Sequence, residues 1–134
     1  MKIYFAGSMR GGQKDQKLYA EIIEELKLYG QVLTEHVGEG LDEIDTKGMS
    51  DKDIYDYDMM RLLESDIVIA EVTQPSIGVG YEIGASEALE KTIVALFRPD
   101  QGIRRSAMLA SEGISHLEYK TIEDLKPKLE KIFK

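Results

Sequence analysis

The chain has 134 residues, of which 43% are hydrophobic and 31% charged, a balance typical of one folded domain rather than of a disordered acidic segment. Its 17 lysines and arginines against 25 aspartates and glutamates give a formal net charge of -8, which disfavours binding to nucleic acid polymers and anionic membranes. The absence of cysteine excludes disulfides, thiolate metal sites and thiol nucleophiles. Because the apolar runs are too short for a signal peptide or a membrane span, we expect a single cytoplasmic domain over residues 1–134.

The chain alternates between apolar runs typical of buried strands and segments with helical spacing. The strand candidates are residues 3–6, 31–34, 66–70, 92–97 and, as an edge strand, 114–119. Two helical faces are formed by Leu18, Ile22, Ile23 and Leu26, and by Ile54, Met59, Leu62 and Leu63, and further helices are predicted at about 80–91 and 121–133. This alternation predicts an α/β fold with a five-stranded parallel sheet and helices on both faces.

Thr121 is predicted to cap the last helix, because Asp124 follows it three residues later. Ligands of open parallel sheets bind beyond the carboxyl ends of the strands, so the loops that follow the strands are the candidate sites. The segment after the second strand, residues 37–49, is rich in glycine and acids and is interpreted as a lid or an ordinary surface loop.

The first strand runs into residues 7–12, GSMRGG, where glycines permit close approach of the backbone to a ligand. Arg10 adds the positive charge that an anion would need on this acidic chain. The spacing matches neither the dinucleotide fingerprint nor the P-loop, so an anion site and a plain turn remain about equally compatible with it.

The loop after the third strand, residues 71–84, reads EVTQPSIGVGYEIG and places Glu82 on the first turn of the next helix. A helix N-terminus favours an ionised glutamate, which would then be ready to attack an electrophilic carbon. The alternative is a carboxylate that only caps the helix. Ser76 and the amides around Gly78 supply further hydrogen-bond donors.

Asp53, Asp56 and Asp58 lie on one helical segment and cannot all face the same site, so the pattern alone does not choose among them. His36 and His116 lack a metal-ligand spacing and are interpreted as structural, and we therefore expect no metal. A Ser-His-Asp hydrolase is not supported, because no G-x-S-x-G elbow follows a strand.

Four segments carry a more specific pattern, namely residues 4–12 (YFAGSMRGG), 33–37 (LTEHV), 71–82 (EVTQPSIGVGYE) and 96–99 (LFRP). In this order they resemble the 2'-deoxynucleoside 5'-monophosphate N-glycosidases of the nucleoside 2-deoxyribosyltransferase superfamily. The resemblance implies a flavodoxin-like (Rossmann-like) fold and a hydrolase that forms a covalent glycosyl-enzyme intermediate. It further implies a homodimer with shared active sites, no cofactor, and release of a free base and (deoxy)ribose 5-phosphate.

The same resemblance assigns residues to roles. Glu82 is the implied nucleophile, Asp58 the acid that assists the leaving base, and Tyr4 the residue that positions the nucleophile. Contacts to the substrate phosphate are implied for Ser8, Arg10, Ser76 and Ser106, the last of which reaches the site of the neighbouring subunit. The other implied substrate-binding residues are Gly7, Met9, Gly11, Gly78, Gly80 and Met108. Met9 replaces a usual isoleucine and segment 37–49 differs from the family, so the preferred base and sugar stay open.

Cleavage of a C1'–N bond leaves positive charge on the sugar and negative charge on the base, which calls for one attacking carboxylate and one acid. By analogy with retaining O-glycosidases, their carboxyl groups are expected to lie about 5–5.5 Å apart. The alternatives are a deoxyribosyltransferase, a cytidylate-type N-glycosidase and a nucleotide-binding module without turnover. The implied phosphate contacts argue against a transferase acting on free nucleosides, and the two retained carboxylates argue against the module.

Overall fold

The computed structural model describes residues 1–8, 15–33 and 50–134 of the chain. Its strands are β1 (Lys2–Ala6), β2 (Gln31–Val32), β3 (Ile67–Glu71), β4 (Thr92–Phe97) and β5 (Ile114–Glu118). Its helices are α1 (Gln16–Leu26), α2 (Asp51–Glu64), α3 (Ile77–Ala88) and α4 (Ile122–Phe133), with short 3₁₀ turns at Pro99–Gln101 and Ala107–Leu109. Among the described residues, no helix combines the length and apolar character needed to cross a membrane. The predicted alternation of strands and helices is confirmed.

The five strands form one sheet in the order β2-β1-β3-β4-β5, and every neighbouring pair is parallel. The strand order reverses at the contact between β1 and β3, which are neighbours although β2 lies between them in the chain. At such a reversal the connections leave the two strands toward opposite faces of the sheet and open a crevice at their carboxyl ends. The order is that of flavodoxin-like folds, as the sequence predicts, and it places the candidate site at the ends of β1 and β3.

A hydrophobic core lies on each face of the sheet, and alternate residues of β1 divide between them. Ile3 and Phe5 belong to one core, and Tyr4 and Ala6 belong to the other. Helices α1 and α4 close the first core with Tyr19, Ile22, Leu125 and Leu129, and helices α2 and α3 close the second with Leu62, Val79 and Ile83. The predicted coverage of both faces is confirmed, and Tyr4 faces the helices that carry the candidate carboxylates.

Some predicted boundaries are wrong by one to three residues. β2 ends at Val32 instead of at residue 34, β1 and β5 each differ by one residue at one end, and β3 differs by one residue at both ends. Helix α3 begins at Ile77 rather than Gly80, because Ser76 caps it by accepting a hydrogen bond from the Val79 N–H at 3.2 Å. The glycines near this end are poor helix formers, and packing of the helix against the sheet outweighs their preference.

The predicted apolar face of α2 is wrong at Leu63. Leu62 is fully buried, whereas Leu63 is 56% exposed. Neighbouring helical residues lie about 100° apart around the axis, so Leu63 points away from the sheet when Leu62 packs against it. An exposed leucine on this helix is therefore available for contacts outside the monomer.

The predicted cap of α4 is confirmed, because the Thr121 hydroxyl accepts a hydrogen bond from the Asp124 N–H at 3.2 Å. The Asp124 carboxylate in turn accepts the Lys120 N–H at 2.9 Å. These bonds satisfy backbone donors that the helix itself leaves without an acceptor.

We predict that Thr121→Ala lowers the free energy of unfolding by about 1 kcal/mol, because the capping acceptor is lost. Urea unfolding followed by circular dichroism measures the change. Thr121→Ser is the matched control, since it keeps the hydroxyl and should retain most of the stability. Equal losses in both variants would contradict a capping role for the hydroxyl.

Candidate active site

The candidate site centres on a hydrogen bond between β1 and α3, in which the Tyr4 hydroxyl donates to Oε2 of Glu82. Tyr4 is buried on the sheet face that α2 and α3 cover. Glu82 extends from the border of the buried face of α3, between Val79 and Ser86. The Ser86 hydroxyl donates to the Glu82 carbonyl at 2.7 Å. One oxygen of the Glu82 carboxylate is therefore fixed by a residue 78 positions away in the sequence.

Asp58 approaches the same pair from α2. It precedes the buried Leu62 by one helical turn, so it lies on the face of α2 that packs toward Tyr4. Its charge contributes to raising the pKa of both Tyr4 and Glu82, which places Asp58 within electrostatic reach of both side chains. The structure thus brings together the three residues for which the resemblance implies catalytic roles.

The two other candidate aspartates of α2 are engaged elsewhere. Asp53 accepts the Ser50 N–H at 3.1 Å and completes the capping box that starts the helix. Asp56 pairs with Lys52 at 2.7 Å on the exposed surface. Helical geometry therefore separates Asp58 from its neighbours, which the sequence pattern alone does not do.

The predicted setting of Glu82 needs a correction. Because α3 begins at Ile77, Glu82 lies in the second turn of the helix, beyond the first turn in which the helix dipole acts most strongly. Ser76 occupies the capping position, so the alternative of a capping glutamate is also wrong. Burial raises the pKa of Glu82, the hydrogen bond from Tyr4 lowers it and the charge of Asp58 raises it, with a result of about 7. Tyr4, and not the helix end, stabilises the ionised form.

Tyr4 acts as a hydrogen-bond donor throughout the neutral range. Burial raises the pKa of its hydroxyl far above the ordinary value, and the neighbouring Glu82 charge raises it further. A protonated phenol that donates to one carboxylate oxygen holds the glutamate in one orientation. The second oxygen of Glu82 can then be aimed at a substrate.

Several of the implied substrate-binding residues follow β1 and β3 directly. Gly7 and Ser8 are buried at the end of β1, and Ser76 and Gly78 stand at the start of α3. A Cβ at Gly7 would lie 3.1 Å from Cε2 of Tyr19, a tight contact that the Tyr19 ring would have to shift to relieve. Met9, Arg10, Gly11, His36 and segment 37–49 lie outside the described residues, so the predicted contribution of Arg10 remains a prediction.

Ser106 and Met108 lie on a groove of about 570 Å³ between α3 and the second 3₁₀ turn. Its α3 wall includes Gly80 and Gly84, which stand two residues before and after Glu82. Val79 and Ile83 also line the groove, but Glu82 does not, so the groove and the Glu82 carboxylate lie on different sides of α3. Within one chain, Ser106 and Met108 are therefore separated from Tyr4, Asp58 and Glu82.

His116 lies on β5, where its Nε2 is 2.7 Å from the carbonyl oxygen of Leu109. This contact ties the second 3₁₀ turn to the edge strand, away from the carboxylates. The structural interpretation of His116 is supported.

Sequence reasoning missed two polar features near the site. The hydroxyls of Tyr55 and Tyr81 are 3.0 Å apart and link α2 to α3 beside the carboxylates. Their spacing in the sequence could have pointed to them, because Tyr55 precedes Asp58 by about one helical turn and Tyr81 is next to Glu82. The second feature is a buried ion cluster that includes Glu71 and Arg98. The sequence hint for it is that a charged residue stands at the end of each of these two apolar strand runs.

Comparison with known proteins identifies the family of the chain. A family model described as nucleoside 2-deoxyribosyltransferase matches residues 3–116. The chain is 55% identical over 108 residues to a putative 2'-deoxynucleoside 5'-phosphate N-hydrolase 1 of Trichoplax adhaerens, which covers 80% of this chain and 73% of that protein. It is 49% identical over 117 residues to the 5-hydroxymethyl-dUMP N-hydrolase of Mus musculus, covering 83% of this chain and 66% of that protein.

Among solved structures, the chain is similar to the CMP N-glycosidase BcmB of Clostridium botulinum, with a TM-score of 0.69. The match covers 97% of this chain and 98% of the other, at 18% sequence identity. At this identity the similarity concerns the fold, and it agrees with the parallel α/β architecture.

We predict that Tyr4→Phe raises the pKa of Glu82 above about 7, because the variant loses the hydrogen bond that lowers it. A ¹³C NMR titration of labelled glutamate carboxyls measures the change, and Glu82→Gln identifies the resonance. Tyr29→Phe is the matched control, since Tyr29 stacks on Phe133 on the other face of the sheet. An unchanged or lower pKa in Tyr4→Phe would contradict the stabilising role of the hydroxyl.

Proposed function

Because the chain belongs to the nucleoside 2-deoxyribosyltransferase family, we propose that it hydrolyses the N-glycosidic bond of (deoxy)nucleoside 5'-monophosphates. The products are a free base and (deoxy)ribose 5-phosphate. The observation that carries the proposal is the Tyr4–Glu82 hydrogen bond with Asp58 beside it. Relatives named as N-hydrolases of a 2'-deoxynucleoside 5'-phosphate and of 5-hydroxymethyl-dUMP support the substrate class.

Glu82 is the nucleophile of the proposed reaction. In its ionised form, the oxygen that Tyr4 does not hold bonds to C1' while the electron pair of the C1'–N bond leaves with the base. Water then cleaves the glycosyl ester and restores the carboxylate. A pKa of about 7 leaves a large fraction of Glu82 ionised at neutral pH, while burial keeps water from solvating the charge.

Asp58 is the acid that neutralises the departing base. Its charge raises the pKa of Glu82, so the two carboxyl groups are electrostatically coupled. The proposed retaining mechanism uses the state of this pair in which Glu82 is the carboxylate and Asp58 holds the proton. The proton passes from Asp58 to the base as the glycosidic bond breaks.

In the proposed complex, the substrate phosphate binds where β1 and β3 end. Ser76 accepts the Val79 N–H through its oxygen, and its hydroxyl hydrogen can donate to a phosphate oxygen. The first turn of α3 offers further N–H groups to an anion, and Ser8 follows β1, the strand that pairs with β3. Arg10 supplies the local positive charge that a chain with a net charge of -8 requires.

The second candidate is a deoxyribosyltransferase, which the name of the matching family favours. In that reaction a second base, rather than water, would resolve the ester of Glu82. The proposed contacts to a 5'-phosphate favour the hydrolase, because free nucleosides lack that group. A cytidylate-type N-glycosidase, like the CMP N-glycosidase with the similar fold, differs only in base and sugar preference.

We predict that the purified protein releases base from at least one deoxynucleoside 5'-monophosphate and far less from the matching nucleoside. Values of kcat/KM across common bases, 5-hydroxymethyluracil and both sugars measure this preference. Glu82→Gln should lower turnover more than about tenfold, because it removes the attacking charge without changing shape. Glu64→Gln, at the exposed end of α2, is the matched control.

Two results of this assay would contradict parts of the proposal. If Glu82→Gln keeps the turnover of the wild type, Glu82 is not the nucleophile. Conversion of an added free base into a new nucleotide, at the expense of hydrolysis, would support the transferase.

The complete site is proposed to lie between two copies of the chain. Ile77 at the start of α3 is 95% exposed and Met108 is 86% exposed, and both lie on the groove. Met60 and Leu63 expose further apolar surface on α2. Surfaces of this kind mark protein contacts. Because Ser106 lies across α3 from Glu82 of its own chain, a symmetric dimer would let it serve the site of the partner.

We predict that mixing Glu82→Ala and Ser106→Ala chains restores activity. With random exchange, half of the dimers are hybrids, and each hybrid has one site with both native groups, so intact sites approach about a quarter of the total. Native mass spectrometry shows the exchange, and Ser106→Ala alone has to be impaired. A mixture no more active than the mean of its parents, despite exchange, would contradict the shared site.

A further inference from the structure

A buried ion cluster lies beside the candidate phosphate site and takes no part in the proposed chemistry. Arg98 follows β4, and its guanidinium contacts two carboxylates from different parts of the chain. Nη2 donates to Asp15 at 2.6 Å, and Nε donates to Glu71 at 3.2 Å. All three side chains are at most 8% exposed. The cluster joins the start of α1 to the ends of β3 and β4.

Glu71 in turn holds the first residues of the β3–α3 loop. Its carboxylate accepts the Thr73 N–H at 2.7 Å, the Thr73 hydroxyl at 3.0 Å and the hydroxyl of Tyr119. The Thr73 hydroxyl also accepts the Arg98 N–H at 3.0 Å. Thr73 is therefore fixed from two sides, three residues before Ser76.

Asp15 anchors the other loop. It is the residue before α1, so Asp15 and Ser8 stand on either side of segment 9–14, which contains Arg10. Tyr19 packs against Gly7 and lies within reach of the cluster, since burial, followed by the charges of Glu71 and Asp15, raises the pKa of its hydroxyl. The described ends of the β1–α1 loop thus contact the same buried group that fixes Thr73.

The charges of the cluster do not themselves suit an anion. One guanidinium is set against two carboxylates, so the cluster adds no net positive charge to the site. Burying charges costs solvation, and well-packed apolar side chains often stabilise a protein as well or better. What Arg98 adds is geometry, because its planar fork binds two acceptors in fixed directions, which the point charge of a lysine does not do.

Resting on the proposed phosphate-binding roles of Ser8 and Ser76, we propose that Arg98 is a positioning residue. By binding Asp15 and Glu71 together, it sets the separation between the β1–α1 and β3–α3 loops and so the width of the phosphate site. Arg98 touches no substrate in this arrangement. Its effect on function passes through Ser8 and Ser76.

The test measures binding of 2-deoxyribose 5-phosphate by calorimetry to the wild type, Arg98→Lys and Asp15→Asn. The Asp15 side chain makes no capping hydrogen bond to α1, so Asp15→Asn removes the charge that Arg98 binds without removing a cap. Leu129→Ala is the control, because it opens the core under α4 on the same sheet face without touching either loop. Thermal unfolding of every variant records its stability.

We expect Arg98→Lys and Asp15→Asn each to weaken binding by about tenfold or more, since displacement of positioned groups has effects of this order. The Leu129→Ala protein should bind the probe as tightly as the wild type does, even if its Tm falls as much as the Tm of Arg98→Lys or Asp15→Asn. The proposal would be overturned if Arg98→Lys and Asp15→Asn both lose less than about tenfold in affinity, or if Leu129→Ala loses as much affinity as they do. A wild type that does not bind the probe would also overturn it. Failure of the proposed function is a separate result, namely binding of the probe by a wild type that cleaves no monophosphate.

Discussion

The hydrogen bond from Tyr4 to Glu82 is the interaction on which the proposed chemistry of this protein depends. Burial disfavours the ionised form of Glu82, and the phenol partly offsets that cost, so that the pKa of Glu82 settles at about 7 instead of the ordinary 4.5. A carboxyl group with a raised pKa stabilises the fold while it is protonated. That contribution is complete below pH 4.5 and is lost as the pH rises through about 7. At neutral pH the fold therefore contains an ionised Glu82 that does not stabilise it. Shifted pKa values of this kind are common at functional sites.

The position of this bond follows from the order of the strands. Because β1 and β3 are neighbours and the order reverses between them, α1 leaves toward one face while α2 and α3 pack on the other. Alternation along β1 directs Tyr4 to the face of α2 and α3, and so toward Asp58 and Glu82. Neither helix could supply both carboxyl groups alone, since the proposed reaction needs them on opposite sides of one substrate bond.

Two polar clusters lie near the same edge of the sheet, and they differ in whether their carboxylates have a cation partner. In the cluster of Glu71, Arg98 and Asp15, each carboxylate meets a guanidinium nitrogen, and Glu71 accepts three further hydrogen bonds. Such a closed network fixes geometry. Around Glu82 the charge is left without a cation partner among the described residues. In the proposed scheme the first cluster positions loops, and the second carries out the chemistry.

The sequence by itself determined the elements whose signal is local. Apolar runs and helical spacing located all five strands and all four described helices, and the Thr121 cap was readable from Asp124 three residues later. Glu82 was also recognisable as a carboxylate in the segment after β3, because the motif around it is continuous. These signals operate over a few residues, the range in which backbone hydrogen bonds and side-chain periodicity act.

Only the tertiary structure decided what those residues contact. It moved the start of α3 to Ile77, exposed Leu63, and chose Asp58 from three aspartates that the pattern left equivalent. It also joined Tyr4 to Glu82 and Asp15 to Arg98, pairs separated by 78 and 83 residues. The pKa of Glu82 is set by those distant partners and by burial, and both depend on the order in which the strands assemble, which local periodicity does not encode.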